Sequence, residues 1–319
     1  MEIIVHDTPR AMLDLAGLPL ERRPQALREM LAPMREAIPV PGDLVDIHHA
    51  GGGFRVDRDD DRHLPALRRM VEQDVRGQIE DALRSAWKRL GDAVPGIRGP
   101  ESLRVMLVLG DPDDAYLMDT VGGYYGMGGS PGWLYLLAWP ADDVIGRIAH
   151  CAVHEFHHQV RYSNVEWNPV TVTVGEHVVS EGLAEAFVRE LSGPEAMGPW
   201  SGMVTGAEFD RAYDTITAAA GLEGMRNTPA YVLGDRAMSR FGQEPVGVPD
   251  MAGYGVGLRI VDAHLAASGL TAAKSTVLPG EEILRNAGVT LQPSQGSQSS
   301  QSSRGSQVVS GASASGDEA

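Results

Sequence analysis

A chain of 319 residues with 43% hydrophobic and 22% charged side chains can bury one large core or two, which excludes a wholly disordered protein. Its 27 basic and 43 acidic residues leave a formal net charge of −16, so it repels phosphate backbones and nucleic acid is excluded as an expected partner. The lone Cys151 excludes both a disulfide framework and a four-cysteine zinc site.

The first residues, Met1 to Asp7, lack the basic region and apolar run of a secretory signal, and no stretch of about 18 apolar residues follows anywhere. The expectation is a cytoplasmic protein with no membrane partner. From Pro9 to Ala37 the pattern is helical but cut by Gly17, Pro19, Pro24 and Pro33. Residues 39–61 read as loop or short strand. The Gly51-Gly52-Gly53 run there lacks a following Gly-Lys-Ser/Thr, so it is no phosphate loop.

Residues 63–90 read as one long amphipathic helix. Leu64, Leu67, Val71, Val75, Ile79, Leu83, Trp87 and Leu90 recur every three or four positions, and Gly91 and Pro95 end the run. The apolar stretches 105–109 and 133–139 (WLYLLAW) read as strands separated by a glycine-rich loop, 122–132. A helix then starts near Asp142 or Asp143, either of which can cap it, with Ile145, Ile148, Ala149, Ala152, Phe156 and Val160 as its apolar stripe. Further helices are expected at 175–191, 208–220, 251–267 and 281–286. Beyond Gln292 the chain is Ser/Gln/Gly-rich, a composition that predicts disorder. The pattern predicts an α+β fold, mainly helical, with a small sheet beside the helix that starts near Asp142. It divides into an N-terminal helical region, 1–100, a catalytic region, 101–291, and a tail, 292–319.

Five of the 10 histidines lie between His150 and His177. Among them stands His154-Glu155-Phe156-His157-His158, an HExxH motif on a predicted helix. Residues four apart share a helix face, so His154 and His158 can aim two imidazoles at one metal ion. Glu155 can reach a water beside that ion as general base. A catalytic zinc site needs a third protein ligand. Glu181 and Glu185 share a face of the next helix, so one can bind metal while the other orients a metal-binding histidine. The missing ligand is assigned to Glu181, with Glu185 behind it. His177, one turn before Glu181, is the rival ligand. His150 shares the face of His154 one turn earlier and is a candidate to support it. His157 lies off the shared face, and Cys151 reads as a small buried packing residue.

Two histidines and a carboxylate also suit Fe²⁺, Mn²⁺ or Co²⁺, but HExxH on a helix favours Zn²⁺, one per chain. A competing expectation is a non-proteolytic module. Its zinc site would be structural or vestigial, and the 63–90 helix would bind a partner.

HExxH followed by Glu-Gly-Leu-Ala resembles the gluzincin metallopeptidases, whose third ligand is a glutamate on a following helix. The Glu-Gly-x-Ala sequence is similar to the aminopeptidase-N-like branch, and the carboxylate one turn later to the thermolysin-like branch. HEFHH at 154–158, SEGLAEAFV at 180–188 and GYGVGLRIV at 253–261 together resemble a family of bacterial predicted zinc-dependent proteases, the YjaZ-like family. The resemblance implies a zincin-like catalytic domain, His154, His158 and Glu181 as ligands, Glu155 as base, and a peptide or protein substrate. Tyr254, in the third segment, is the candidate donor to the oxyanion of peptide hydrolysis, with His264 a weaker one. Gluzincin-like folds run an edge strand along the cleft. By that analogy 133–139 is expected to hold an extended peptide by strand addition.

Overall fold

The structure, a computed structural model, describes residues 1–37, 41–240 and 242–291; the tail expected to be disordered lies outside the described residues. In chain order the elements are β1 (Glu2–Val5), α1 (Thr8–Ala16), α2 (Arg23–Leu31), α3 (Leu44–Ala50), α4 (His63–Glu72), α5 (Val75–Ala93), β2 (Ser102–Leu109), β3 (Tyr124–Met127), β4 (Trp133–Ala138), α6 (Ile148–Asn164), α7 (Val174–Ser192), α8 (Gly206–Ala218), α9 (Thr228–Leu233), α10 (Asp235–Ser239), α11 (Ala252–Ser268), α12 (Ala272–Ser275) and α13 (Gly280–Asn286). The fold is α+β and mainly helical. Among the described residues no helix is long and apolar enough to cross a membrane.

The four strands form one sheet in the order β1-β2-β4-β3. β1 and β4 each run parallel to β2, with Val105 opposite both Val5 and Leu134. β3 runs antiparallel to β4, with Gly126 opposite Leu136. The centre of the sheet, β2 and β4, is buried on both faces, which is why each reads as an unbroken apolar run rather than an alternating one. The β1–β2 pairing ties the first residues of the chain into the same sheet as the strands that precede α6.

Three local readings change. The 63–90 helix is two helices, because Asp74 adopts a left-handed backbone (φ 47°) between α4 and α5. Its side chain accepts a hydrogen bond from the Gly77 amide and so begins α5. The apolar spacing runs through the break undisturbed, so the pattern conceals it. Within 39–61 lies α3, capped by Asp43, whose carboxylate accepts from the Val45 amide at 2.9 Å. Neither Asp142 nor Asp143 caps α6; a 3-10 turn over Ile145–Arg147 leads into it instead.

The fourth change concerns function. The glycine-rich loop contains β3, which covers the outer side of β4. The 133–139 segment is therefore an interior strand with both edges paired, and it cannot receive an added peptide strand. The edge on this side of the sheet is β3.

α6 is buried on nearly every side, between the sheet, α5 and α7. α7 in turn meets α11 with their backbones in contact. A Cβ on Gly182 would lie 2.1 Å from the Gly257 carbonyl carbon, and one on Gly257 would lie 2.1 Å from the Val178 oxygen. Glycine inside a helix lowers helix stability, and this crossing is what it permits. It also explains why the segments 180–188 and 253–261 belong together. Gly257→Ala forces the helices apart and is expected to destabilise the protein by about 1–3 kcal/mol, the usual range for overpacking. Urea unfolding monitored by circular dichroism checks this, and an unmoved midpoint would show that the crossing has slack.

Candidate metal centre

α6 supplies His154, Glu155 and His158, and α7 supplies Glu181 and Glu185. Their side chains converge in the buried gap between the two helices. His154 Nε2 lies 3.1 Å from His158 Nε2 and 3.1 Å from Glu181 Oε2, and His158 Nε2 lies 3.3 Å from the same oxygen. A tetrahedral zinc site with ligand bonds of ~2.0–2.1 Å has ligand–ligand edges of about 3.3–3.4 Å. The observed triangle is close to one face of that figure, so these three residues could hold a metal ion.

Glu185 fixes the orientation of His154. Its Oε1 accepts from His154 Nδ1 at 2.7 Å and from the Trp200 indole at 3.1 Å, and its Oε2 accepts from the Gly198 amide at 2.8 Å. With Nδ1 donating to a carboxylate, Nε2 is the nitrogen that can face a metal. Without a metal, two imidazole nitrogens at 3.1 Å need a proton between them. Burial alone would lower the His154 pKa, but hydrogen bonds to Glu181 and Glu185 outweigh it and hold the ring protonated. Burial would likewise raise Glu181, but its interactions with His158 and His154 bring it well below the usual carboxylate range.

Glu155 is buried against β3. A Cβ on Gly126 would lie 2.4 Å from Glu155 Cγ, and one on Gly128 would lie 2.5 Å from the Glu155 carbonyl oxygen. Burial raises the Glu155 carboxyl, opposed by His154 and His158. Tyr254 stands beside the cluster, its ring 6.1 Å from that of His154 and 5.6 Å from that of Trp200. Its phenol is pushed well up by burial and by the nearby Glu181 and Glu155, so it stays protonated.

The remaining candidates lie outside the triangle. His177 Nε2 is 3.8 Å from Glu181 Oε1, and its Nδ1 pairs with Thr228 Oγ1 at 3.0 Å. His150 is half-buried and makes no hydrogen bond to the cluster among the described residues. His157 Nε2 donates to Thr276 Oγ1 at 3.0 Å, because that hydroxyl already donates to the Ala272 carbonyl. His264 pairs with Ser275 and Asn286, joining α11 to α12 and α13. Cys151 is buried, and burial pushes its thiol up.

Sequence reasoning missed several neighbours. Tyr162 Oη lies 3.4 Å from His158 Nδ1, and Trp167 stacks on the Tyr162 ring at 3.8 Å. Tyr162 is one turn beyond His158, so extending the motif by four residues would have found it. Trp200 and Gly198 carry no such signal, since a 3-10 turn distant in sequence brings them to Glu185. The two glycines against Glu155 were hidden in the apparent loop.

A mainly helical α+β protein that gathers two histidines and a glutamate from adjacent helices, beside a buried carboxylate, has the parts of a metal centre. The chain belongs to the family described as "Predicted Zn-dependent protease (DUF2268)", whose model matches residues 84–285 and so includes the whole cluster. It is similar to two proteins of Bacillus subtilis (strain 168). It is 30% identical over 237 residues to "Uncharacterized protein YjfC", covering 74% of this chain and 78% of that one. It is 28% identical over 229 residues to "Uncharacterized protein YjaZ", covering 69% and 78%. No solved structure matches the chain.

Two outcomes are expected. Glu185→Ala removes the acceptor for His154 Nδ1 and should weaken zinc binding by about 10–100-fold, measured by competition with a chelating dye. Undiminished affinity would remove Glu185 from the centre. Zinc must also displace the proton held at His154, so its uptake at neutral pH should release protons and its affinity should rise with pH. Calorimetry in buffers of different ionisation enthalpy reads this directly; identical heats in all buffers would contradict it.

Proposed function

We propose that the chain is a zinc metallopeptidase of gluzincin type that hydrolyses peptide bonds, holding one zinc ion through His154, His158 and Glu181. The observation that carries this reading is the 3.1–3.3 Å triangle of those three residues beside the buried carboxylate of Glu155. A zinc ion there would polarise the scissile carbonyl and acidify a water.

The chain's own residues then divide the remaining work. Glu155, raised by burial, takes the proton from the attacking water and returns it to the leaving amine. Glu185 keeps His154 in the tautomer that leaves Nε2 free. Tyr254, beside His154, donates to the oxygen that gains charge as the carbonyl is attacked. β3 contributes the free sheet edge next to Glu155, so a substrate in extended conformation can pair with it and run past the base. The substrate is a peptide or protein segment, and the acidic chain is expected to leave nucleic acid and membranes aside and to work in the cytoplasm.

One observation favours a different reading. The candidate ligands expose only 3%, 7% and 8% of their side chains, which suits a closed, structural zinc site in a non-proteolytic protein. Glu155→Gln separates the two readings. A peptidase loses at least about 100-fold in turnover of a peptide library while elemental analysis still finds one zinc per chain. Full turnover in that variant would sink the mechanism. A zinc-loaded parent chain that cleaves nothing in the library would favour the structural reading.

A further inference from the structure

We infer that Arg161 and Glu176 form a positioning pair that sets the spacing and rotation of α6 against α7, and with it the metal triangle; this rests on reading His154, His158 and Glu181 as the metal centre. Arg161 lies three residues beyond His158 and is fully buried. Glu176 lies in the first turn of α7, five residues before Glu181.

The guanidinium is surrounded by acceptors from two parts of the chain, α7 and the segment after α12. Nε donates to Glu176 Oε1 at 3.0 Å and to Ser180 Oγ at 3.1 Å. Nη2 donates to the same Glu176 oxygen. Nη1 donates to the carbonyls of Thr276 and Leu278 at 3.1 and 3.0 Å. Glu176 Oε2 accepts from the Gly280 amide at 2.7 Å. Ser180, adjacent to the candidate ligand Glu181, also donates back to the Glu176 carbonyl at 2.9 Å. Thr276 meets His157, the residue before His158, through its hydroxyl. The stretch from Thr276 to Gly280 thus straps both metal-bearing helices from behind.

Stability alone does not account for such a device. Removing a charge pair from water is costly, and apolar residues of similar volume hold a core together as well or better. A planar fork of five donors supplies what apolar packing lacks, namely direction. If α7 slides or turns relative to α6, the fork cannot satisfy Glu176, Ser180 and the two carbonyls together. A metal site tolerates misplacement of only about 0.5 Å, so a directional clamp close to His158 and Glu181 is where precision is needed.

The test replaces the pair by apolar residues, Arg161→Met with Glu176→Leu. The double variant is expected to unfold at a urea midpoint near the parent's, yet to bind zinc about 10–100-fold more weakly. Loaded with Co²⁺, it should show shifted and weaker visible bands, which a merely structural role would leave alone. Parent-like zinc affinity and cobalt spectrum in the folded double variant would overturn the inference. If that variant does not fold, Arg161→Lys decides: it keeps the charge and loses the fork, and a parent-like affinity and spectrum would overturn the inference equally. None of these readouts needs catalysis. A parent chain that binds zinc without cleaving peptides would sink the peptidase reading and leave this one standing. A parent that binds no zinc would overturn both.

Discussion

Two imidazole nitrogens and a carboxylate oxygen are crowded within 3.1–3.3 Å of one another on side chains that are almost wholly buried. Left bare, the three lone pairs repel, and only a shared proton or a cation makes their proximity favourable. Much of the surrounding structure serves to hold that arrangement. α6 is enclosed on nearly every side, so its two histidines have no freedom to swing outward. The glycine contact between α7 and α11 brings the helix carrying Tyr254 to within one ring's distance of His154. Glu185 receives three donors, of which only one comes from the cluster; the other two anchor it to the 198–200 turn.

The sheet plays a narrower part. Its two central strands are ordinary core, with β1 closing one side. The short β3 closes the other and lies directly against Glu155. Placing β3 outside β4 moves the free edge from a long apolar strand to a four-residue one, where Gly126 leaves space for the carboxylate. A long, flat apolar edge would invite pairing with other chains, whereas a short one flanked by glycines is a smaller hazard.

What was legible in the sequence follows from the range of the interactions involved. The HExxH spacing is a one-turn relation, so His154 and His158 could be placed together from residue order alone. Glu181 and Glu185 followed from the same geometry on the next helix. The longer helices, α6, α7 and α11, were visible because their apolar residues recur over four or more turns. Asp74 escaped notice because a left-handed break of two residues preserves the apolar spacing on either side. β3 escaped because two of its neighbours in the chain are glycines and four residues carry too little pattern. Trp200 reaches the metal-bearing helices from a 3-10 turn after α7, and Thr276 and Leu278 from the short link between α12 and α13, and no local rule of spacing encodes such contacts. The pairing of Gly182 with Gly257 is of the same kind. Each glycine alone reads as a weak point in a helix, and only the crossing gives either of them a purpose.

The slight exposure of the candidate ligands also has a kinetic side. An ion held by three side chains that show only 3%, 7% and 8% of their surface to solvent would meet an external chelator over a small exposed area. Widening that approach would mean parting α6 from α7, which the Arg161 clamp and the α7–α11 contact both oppose. Exchange of the ion would then depend on local opening of the protein as well as on the competitor outside. Such a centre would take up and release its metal more slowly than an exposed one.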